Sequence, residues 1–243
     1  MIILVACVSS LGTAMMLYSE RLDQETTPLN RNDSAIVERY IEKRWPGKLL
    51  KINLGCGSRH LTGFVNVDSS PSANPDVRWD LERTPWPFAS DSVQEIWMSH
   101  VLEHLGRETD SFIAVMRELY RVSVDGTIVH VIVPHPGHSD FIADPTHVRP
   151  ISFDLLEKFS KESNRRWMEE KKADTPFALM YDVDFTSSNH EIVMDRGAVG
   201  LAIDRGILSR KEAQNVTFVY ELSRLYGNLV KQLGVDLTVH KGD

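Results

Sequence analysis

Leu49 to Gly57 reads Leu-Leu-Lys-Ile-Asn-Leu-Gly-Cys-Gly, an apolar run (Leu49, Leu50, Ile52, Leu54) that stops at the bend Gly55-Cys56-Gly57. A run this short, with Pro46-Gly47 before it and glycines after it, predicts a buried strand delivered into a turn. Glycine in such a turn admits positive φ and lets a ligand approach the backbone closely. Outward from the bend, Phe64-Val65-Asn66-Val67-Asp68 predicts a second strand closing on an acid, and Val77-Arg78-Trp79-Asp80 a third that does the same. Residues 93–99 predict a fourth strand. Phe112, Ile113, Val115, Met116, Leu119 and Tyr120 then recur at the spacing of a long amphipathic helix. Asp125-Gly126 predicts a turn, and Thr127 to Val133 a fifth strand that ends at Pro134. Strands alternating with helical stretches imply parallel βαβ units with helices on both faces of one sheet.

Before the decisive stretch, Asp33 or Ser34 can cap a helix carrying Ile36, Val37, Tyr40 and Ile41 on one face, ended by Pro46-Gly47. Beyond the fifth strand, Ser152 predicts a helix start running through Phe159. Arg165, Arg166, Lys171 and Lys172, interleaved with Glu162, Glu169 and Glu170, predict a solvated helix face. Residues 177–184 and 189–194 are expected as strands, residues around Val216 to Leu225 as a helix, and Leu237 to His240 as a last edge strand. The expected organisation is an N-terminal apolar segment and linker over 1–30 followed by one domain over 31–243, with a cofactor half to about 135 and an acceptor loop and C-terminal elements after it.

The chain has 243 residues, of which 42% are hydrophobic, enough for a substantial core in one domain with additions. Twenty-seven Lys and Arg against 34 Asp and Glu leave a net charge of −7, which argues against bulk nucleic-acid binding and tilts the expected partner toward a small molecule or sugar. Only Cys7 and Cys56 are present, too few for a disulfide framework, so a reducing cytoplasm is the expected setting. Residues 1–18 are apolar, and Leu4-Val5-Ala6-Cys7 has the look of a lipoprotein cleavage box, but no basic residue precedes the run. Ser9, Ser10, Gly12 and Thr13 dilute it below a membrane span, so a buried or partner-packed segment is favoured over membrane association.

In an open parallel sheet, ligands bind outside the carboxyl ends of the strands. A Gly-x-Gly closing the first strand, with Asp68 and Asp80 closing the next two, therefore outlines a nucleoside site, Asp68 placed for ribose hydroxyls. A nicotinamide dinucleotide does not fit. The third glycine of its fingerprint falls on His60, and Asp68 comes 13 residues after Gly55 rather than the ~20 of that motif.

Ile52-Asn53-Leu54-Gly55-Cys56-Gly57 followed by Asn66-Val67-Asp68 resembles motif I and the following acid of class I S-adenosylmethionine-dependent methyltransferases of type 11. The likeness continues through Pro87 to Val93, Ser99 to Leu105, Glu118 to Val122 and Gly126 to Ile128, and so covers residues 48–135 in order. Asp144 to Arg149 resembles a bacterial and phage subgroup of these enzymes. The resemblance implies a doubly wound, mostly parallel seven-stranded sheet, S-adenosylmethionine as cofactor and methyl transfer as the activity. It further implies that Gly55, Cys56 and Gly57 pass under the methionine part, that Asp68 holds the ribose, that Asp80 and Leu81 flank the adenine, and that Ser99 and His100 floor the site. Three features depart from the pattern. Asn53 stands where many relatives have Asp, Arg59 replaces a glycine, and only six residues separate Gly57 from Phe64, so the first crossover must be abbreviated to a turn or so.

Six of nine histidines fall between 100 and 147. His135 and His138 follow the fifth strand on the rim where an acceptor would enter. With Asp140, Asp144 and His147 they are the candidates for general-base or acceptor-binding work, His135, Asp144 and His147 foremost. A metal held by His135, His138 and His147 is an alternative reading. His100-Val101-Leu102-Glu103-His104 also spells H-x-x-E-H, which on a helix would aim two imidazoles at a hydrolytic zinc with Glu103 as base. A third alternative is a protein that binds the cofactor without turnover. His130 is expected to be a sheet residue, His104 a packing residue, Trp86 and Phe88 core or pocket wall, and Cys56 a small residue tolerated in a tight turn rather than a nucleophile.

Overall fold

The structure, a computed structural model, describes residues 34–242. The expectations for the apolar segment and linker over 1–30, for Cys7 and for Asp33 as a cap lie outside the described residues. In chain order the elements are α1 (Ser34–Arg44), β1 (Leu50–Leu54), β2 (Val65–Asp68), β3 (Val77–Arg78), β4 (Val93–Ser99), α2 (Thr109–Val122), β5 (Ser123–Pro134) and α3 (Ser139–Ala143). They continue as α4 (Phe153–Glu157), α5 (Lys161–Glu169), α6 (Phe177–Tyr181), β6 (Phe185–Met194), α7 (Arg196–Asp204), α8 (Val216–Ser223) and β7 (Val230–Val239). No helix among the described residues is long and apolar enough to cross a membrane.

The strands form one seven-stranded sheet in the order β3-β2-β1-β4-β5-β7-β6. β1 to β5 pair in parallel, whereas β7 runs antiparallel to both of its neighbours, β5 and β6. The order reverses at β1 and β4, the place where an open α/β sheet leaves a crevice. β1 is buried at Leu50, Ile52, Asn53 and Leu54, as a strand covered on both faces must be. Ile52, Leu54, Ile96, Met98 and Val129 have no exposed surface at all, each side chain contributing about 1.5–3 kcal/mol by leaving water. A row of polar side chains crosses the sheet. His130 stacks on Trp97 with centroids 4.3 Å apart and its Nδ1 lies 2.6 Å from Asp236 Oδ1, and the three are register partners on β4, β5 and β7.

Several expectations need correction. Residues 177–184 are not a strand. Phe177–Tyr181 is a short helix, and the strand pairing begins at Phe185. The expected edge strand Leu237–His240 is instead the end of the ten-residue β7, which stops at Val239 and is flanked on both sides, leaving β6 at the edge. Asp125-Gly126 is an excursion inside a longer β5: Val93 pairs with Ser123 and Glu95 with Ile128, so the intervening residues bulge outward. The Ser152 side chain does cap a helix by accepting from the Leu155 amide, but that helix ends at Glu157. The charged stretch is solvated on only one side of α5, since Lys161, Ser163, Asn164 and Trp167 are buried.

The connection from β1 to β2 contains no helix. Gly55 turns the chain at φ +63° and Gly57 at +49°. A Cβ at Gly55 would lie 2.4 Å from Val101 Cγ2, whereas one at Gly57 would meet nothing within 4 Å. On the far side of the sheet's crevice, α2 is tied to the segment before β4 through a buried carboxylate. Glu118 accepts from the Trp86 amide (2.6 Å) and from Arg121 Nε and Nη2 (2.7 and 2.8 Å), while Arg121 also donates to the carbonyls of Trp86 and Phe88.

Two stability measurements follow from this packing. Gly57→Ala is expected to cost about 1–2 kcal/mol, the left-handed conformation alone. Gly55→Ala should cost roughly 1–3 kcal/mol more, because Val101 must also move; equal losses in urea unfolding would remove the close-approach argument. Glu118→Ala should lower stability by about 2–3 kcal/mol, since it strands a half-buried guanidinium and the Trp86 amide. A change within about 0.5 kcal/mol, the range of an ordinary surface substitution, would show that the pair is dispensable.

Candidate active site

The bend after β1 is hitched to the end of β2 by hydrogen bonds that the sequence supplies at both ends. The Cys56 amide donates to the Val67 carbonyl (2.9 Å) and the Gly57 amide donates to Asp68 Oδ2 (2.9 Å). The other carboxylate oxygen of Asp68 accepts from the Ser70 amide (2.8 Å), and its carbonyl accepts from Trp79 at the end of β3 (3.0 Å). Beneath them a polar network is buried. Asn53 Nδ2 donates to Asn66 Oδ1 (2.9 Å) and to the Arg59 carbonyl (2.8 Å), and Asn66 Oδ1 also accepts from the Leu61 amide. Asp76 in turn accepts from Asn66 Nδ2 and from its backbone amide (both 2.9 Å). Asn53 is 5% exposed with its amide group committed to this network, so it builds the crossover rather than facing a ligand.

These bonds leave a hollow of about 340 Å³ at the carboxyl ends of β1 to β4, a size within the range of small-molecule sites. Gly55, Gly57, Asp68, Asp80, Leu81 and His100 line it, six of the eight residues singled out for cofactor binding. Cys56 and Ser99 are not among its walls. The Cys56 side chain is buried, and burial together with the nearby Asp68 and Asp76 carboxylates pushes its thiol up to about 12, which suits an inert turn residue. Ser69, Trp79, Val101, His104 and Leu105 complete the walls and were not assigned to cofactor binding from the sequence. Asp68 keeps lone pairs beyond the two amides it holds, and Trp79, Leu81 and Leu105 supply apolar surface, so an acceptor set for hydroxyls and a flat apolar wall face the same space. A larger cleft of about 520 Å³ lies by Asp91, Glu118, Arg121 and Lys241 at the opposite ends of the parallel strands, where charges pair with one another (Lys241 to Asp91, 2.9 Å).

At the floor, His100 follows β4 in a left-handed conformation, φ +56°. Its Nε2 lies 3.0 Å from Gln232 Oε1 on β7 and its Nδ1 3.3 Å from Glu103 Oε1; the Glu103 carboxylate raises the imidazole's affinity for a proton. Leu102–His104 is a single 3-10 turn. His100 and His104 therefore do not share a helical face, and the zinc-hydrolase arrangement expected of H-x-x-E-H is not formed.

The histidine loop after β5 divides into two parts. His135 is turned toward α8. Its Nδ1 accepts from the Gly137 amide, its Nε2 is 3.5 Å from Ser223 Oγ, and burial with the neighbouring His138 lowers its pKa. His138 is buried, caps α3 by accepting from the Asp140 amide (3.0 Å), and lies 3.4 Å from Asp195 Oδ2. Asp144 and His147 are elsewhere, beside His104. Asp144 Oδ1 accepts from the Thr146 hydroxyl (2.6 Å) and amide (2.8 Å), contacts that lower its pKa, and its Oδ2 is 3.8 Å from His147 Nε2. His147 packs edge-on to His104, ring centroids 4.6 Å apart. The structure thus brings Asp144 and His147 to the hollow's border through His104 and keeps His135 away from both, so the expected trio His135, His138 and His147 is not assembled around one point.

No family model matches this sequence, and no curated protein matches it. Solved structures do. A SAM-dependent methyltransferase from Archaeoglobus fulgidus aligns over 91% of this chain and 100% of its own at 14% identity, TM-score 0.48. An S-adenosylmethionine-dependent methyltransferase from Mesorhizobium loti aligns over 79% and 91% at 16% identity, TM-score 0.40. Phosphoethanolamine N-methyltransferase 2 of Haemonchus contortus, in complex with S-adenosyl-L-methionine, aligns over 88% and 54% at 11% identity, TM-score 0.42. The strand order above, with β7 inserted antiparallel between β5 and β6, is the Rossmann-like fold of S-adenosylmethionine-dependent methyltransferases.

Proposed function

We propose that the chain binds S-adenosylmethionine in the hollow beside Gly55 and Gly57 and transfers its methyl group to a small-molecule or sugar acceptor. The observation that carries the reading is the convergence, at the carboxyl ends of β1 to β3, of a glycine bend and two acids around one hollow. The residues present fit the cofactor. Asp68 offers free lone pairs to ribose hydroxyls, Asp80 and Leu81 stand beside the adenine position, and the backbone at Gly57 is open to the methionine portion because no Cβ or neighbour occupies that space. When bound, the cofactor supplies an activated methyl on a sulfonium whose positive charge is lost on transfer.

The chain's own contribution is chiefly alignment, which can supply several kcal/mol of a barrier. The Asp68 carboxylate fixes the ribose while its two amide bonds keep its own orientation. His100 and Val101 close the hollow below. The acceptor side falls to the border formed by His104, Asp144 and His147, which offers polar groups to a hydroxyl or ammonium acceptor. The net charge of −7 supports an acceptor other than bulk nucleic acid.

Calorimetry with S-adenosylmethionine and with S-adenosylhomocysteine tests the reading directly: one equivalent of each is expected to bind. Absence of heat and of thermal stabilisation with both ligands would sink it. Asp68→Ala should weaken binding about tenfold or more through loss of bonds to an ionised acceptor. Because that change also frees the Gly57 and Ser70 amides, Asp80→Ala serves as a companion whose carboxylate only holds the Glu82 amide. It too should bind more weakly, with circular dichroism unchanged.

A further inference from the structure

Among the described residues, Glu103 stands out as a deeply buried charged group. It has no exposed surface, and both of its carboxylate oxygens lack a hydrogen-bond partner among the described residues. His100 Nδ1 lies 3.3 Å from Oε1, an ion pair when the ring is protonated, so it engages one oxygen at most. Buried carboxylates are ordinarily paired or bound to a cation. The 3-10 turn that buries Glu103 places His104 next to it, and the loop after α3 returns to lay His147 against His104. One ligand atom from each of Glu103, His104 and His147 falls within 4.8 Å of the others.

The imidazoles are already oriented for ligation. His147 Nδ1 is 2.9 Å from the Phe141 carbonyl, which has no proton to give, so the ring donates from Nδ1 and its Nε2 carries a lone pair. His104 Nδ1 is 3.0 Å from Thr146 Oγ1, whose hydroxyl hydrogen is directed to Asp144 Oδ1 (2.6 Å). Thr146 must therefore accept from His104, which again leaves Nε2 as the free donor. A carbonyl on one histidine and a hydroxyl-carboxylate pair on the other are the outer contacts that fix ligating histidines. The segment Asp144-Pro145-Thr146-His147 gains a single explanation: one ligand and the support of a second.

We propose that Glu103, His104 and His147 form a binding site for a divalent first-row transition metal such as Zn2+ at the border of the hollow. Two imidazole nitrogens and one carboxylate oxygen favour these ions over Mg2+ and Ca2+, which take oxygen sets. Three protein ligands leave a coordination position open, the pattern of sites that carry water or an oxygen-bearing ligand rather than purely structural ones. His104 lines the hollow and belongs to the cluster, so the ion stands next to that space. This differs from the H-x-x-E-H arrangement, because Glu103 is a ligand here and the second histidine comes from a different loop. It is also independent of the cofactor reading, since it requires only these side chains.

The test is metal binding itself. The full chain, stripped with a chelator, is titrated with Zn2+ by calorimetry and with Co2+ by visible absorption, with no nucleoside present. One equivalent of each should bind, with Mg2+ at least a hundredfold weaker. Glu103→Gln, His104→Ala and His147→Ala should each weaken Zn2+ by tenfold or more, Thr146→Val by about tenfold, and His135→Ala not at all. If Glu103→Gln misfolds by circular dichroism, the more exposed His104 and His147 variants carry the test. Absence of saturable binding of both ions, unchanged affinity in folded His104→Ala and His147→Ala, or loss of binding in His135→Ala would each overturn the site. None of these results depends on whether S-adenosylmethionine binds.

Discussion

Six residues between Gly57 and Phe64 leave no room for a full crossover helix, so the backbone between β1 and β2 finds its hydrogen-bond partners in tight turns and in side chains. That constraint organises this half of the molecule. Asn53 and Asn66, neighbours in register on adjacent strands, meet through their amides inside the sheet and hold Arg59 and Leu61 of the loop. Asp68 takes up the Gly57 amide with its side-chain oxygen. The hollow exists because these short polar side chains fold the loop back instead of extending it over the strand ends. An abbreviated crossover and an open ligand face are one fact seen twice.

Much of the fold was legible in the sequence where strands are apolar and end on glycine or acid. Residues 93–99 read as a strand and are one, and Leu50 to Leu54 stop where the glycines begin. Legibility failed where burial is one-sided or absent. The second half of β6 was expected at 189–194, but Thr186, Ser187 and Ser188 give its first half no apolar alternation, and the pattern placed a separate strand at 177–184. Ala178, Leu179 and Met180 are good helix formers, and the short range of that helix hid its period. β7 was expected only at Leu237–His240 because Lys231, Gln232 and Gly234 interrupt its apolar character, although the antiparallel neighbours on both sides bury it.

The site divides along a similar line. Gly55, Gly57, Asp68 and Asp80 are visible because their meaning depends on their place at the end of a strand, which local sequence reveals. The parts played by Asn53, Glu103 and Thr146 depend on contacts between residues distant in the chain or on the depth at which a turn is buried. No periodicity encodes either. The histidine loop shows the limit most clearly: thirteen residues from His135 to His147 look like one cluster when written out, yet the α3 turn sends its two ends to opposite partners, His135 to Ser223 and His147 to His104.

His100 rests on Gln232 and thereby links the end of β4 to β7, the final strand of the described chain. Because β7 slots between two strands that precede it, the floor beneath the hollow depends on a segment far along the chain from the glycine bend. Removing β7 would leave the bend and both acids in place while parting β5 from β6 and taking away the prop beneath His100.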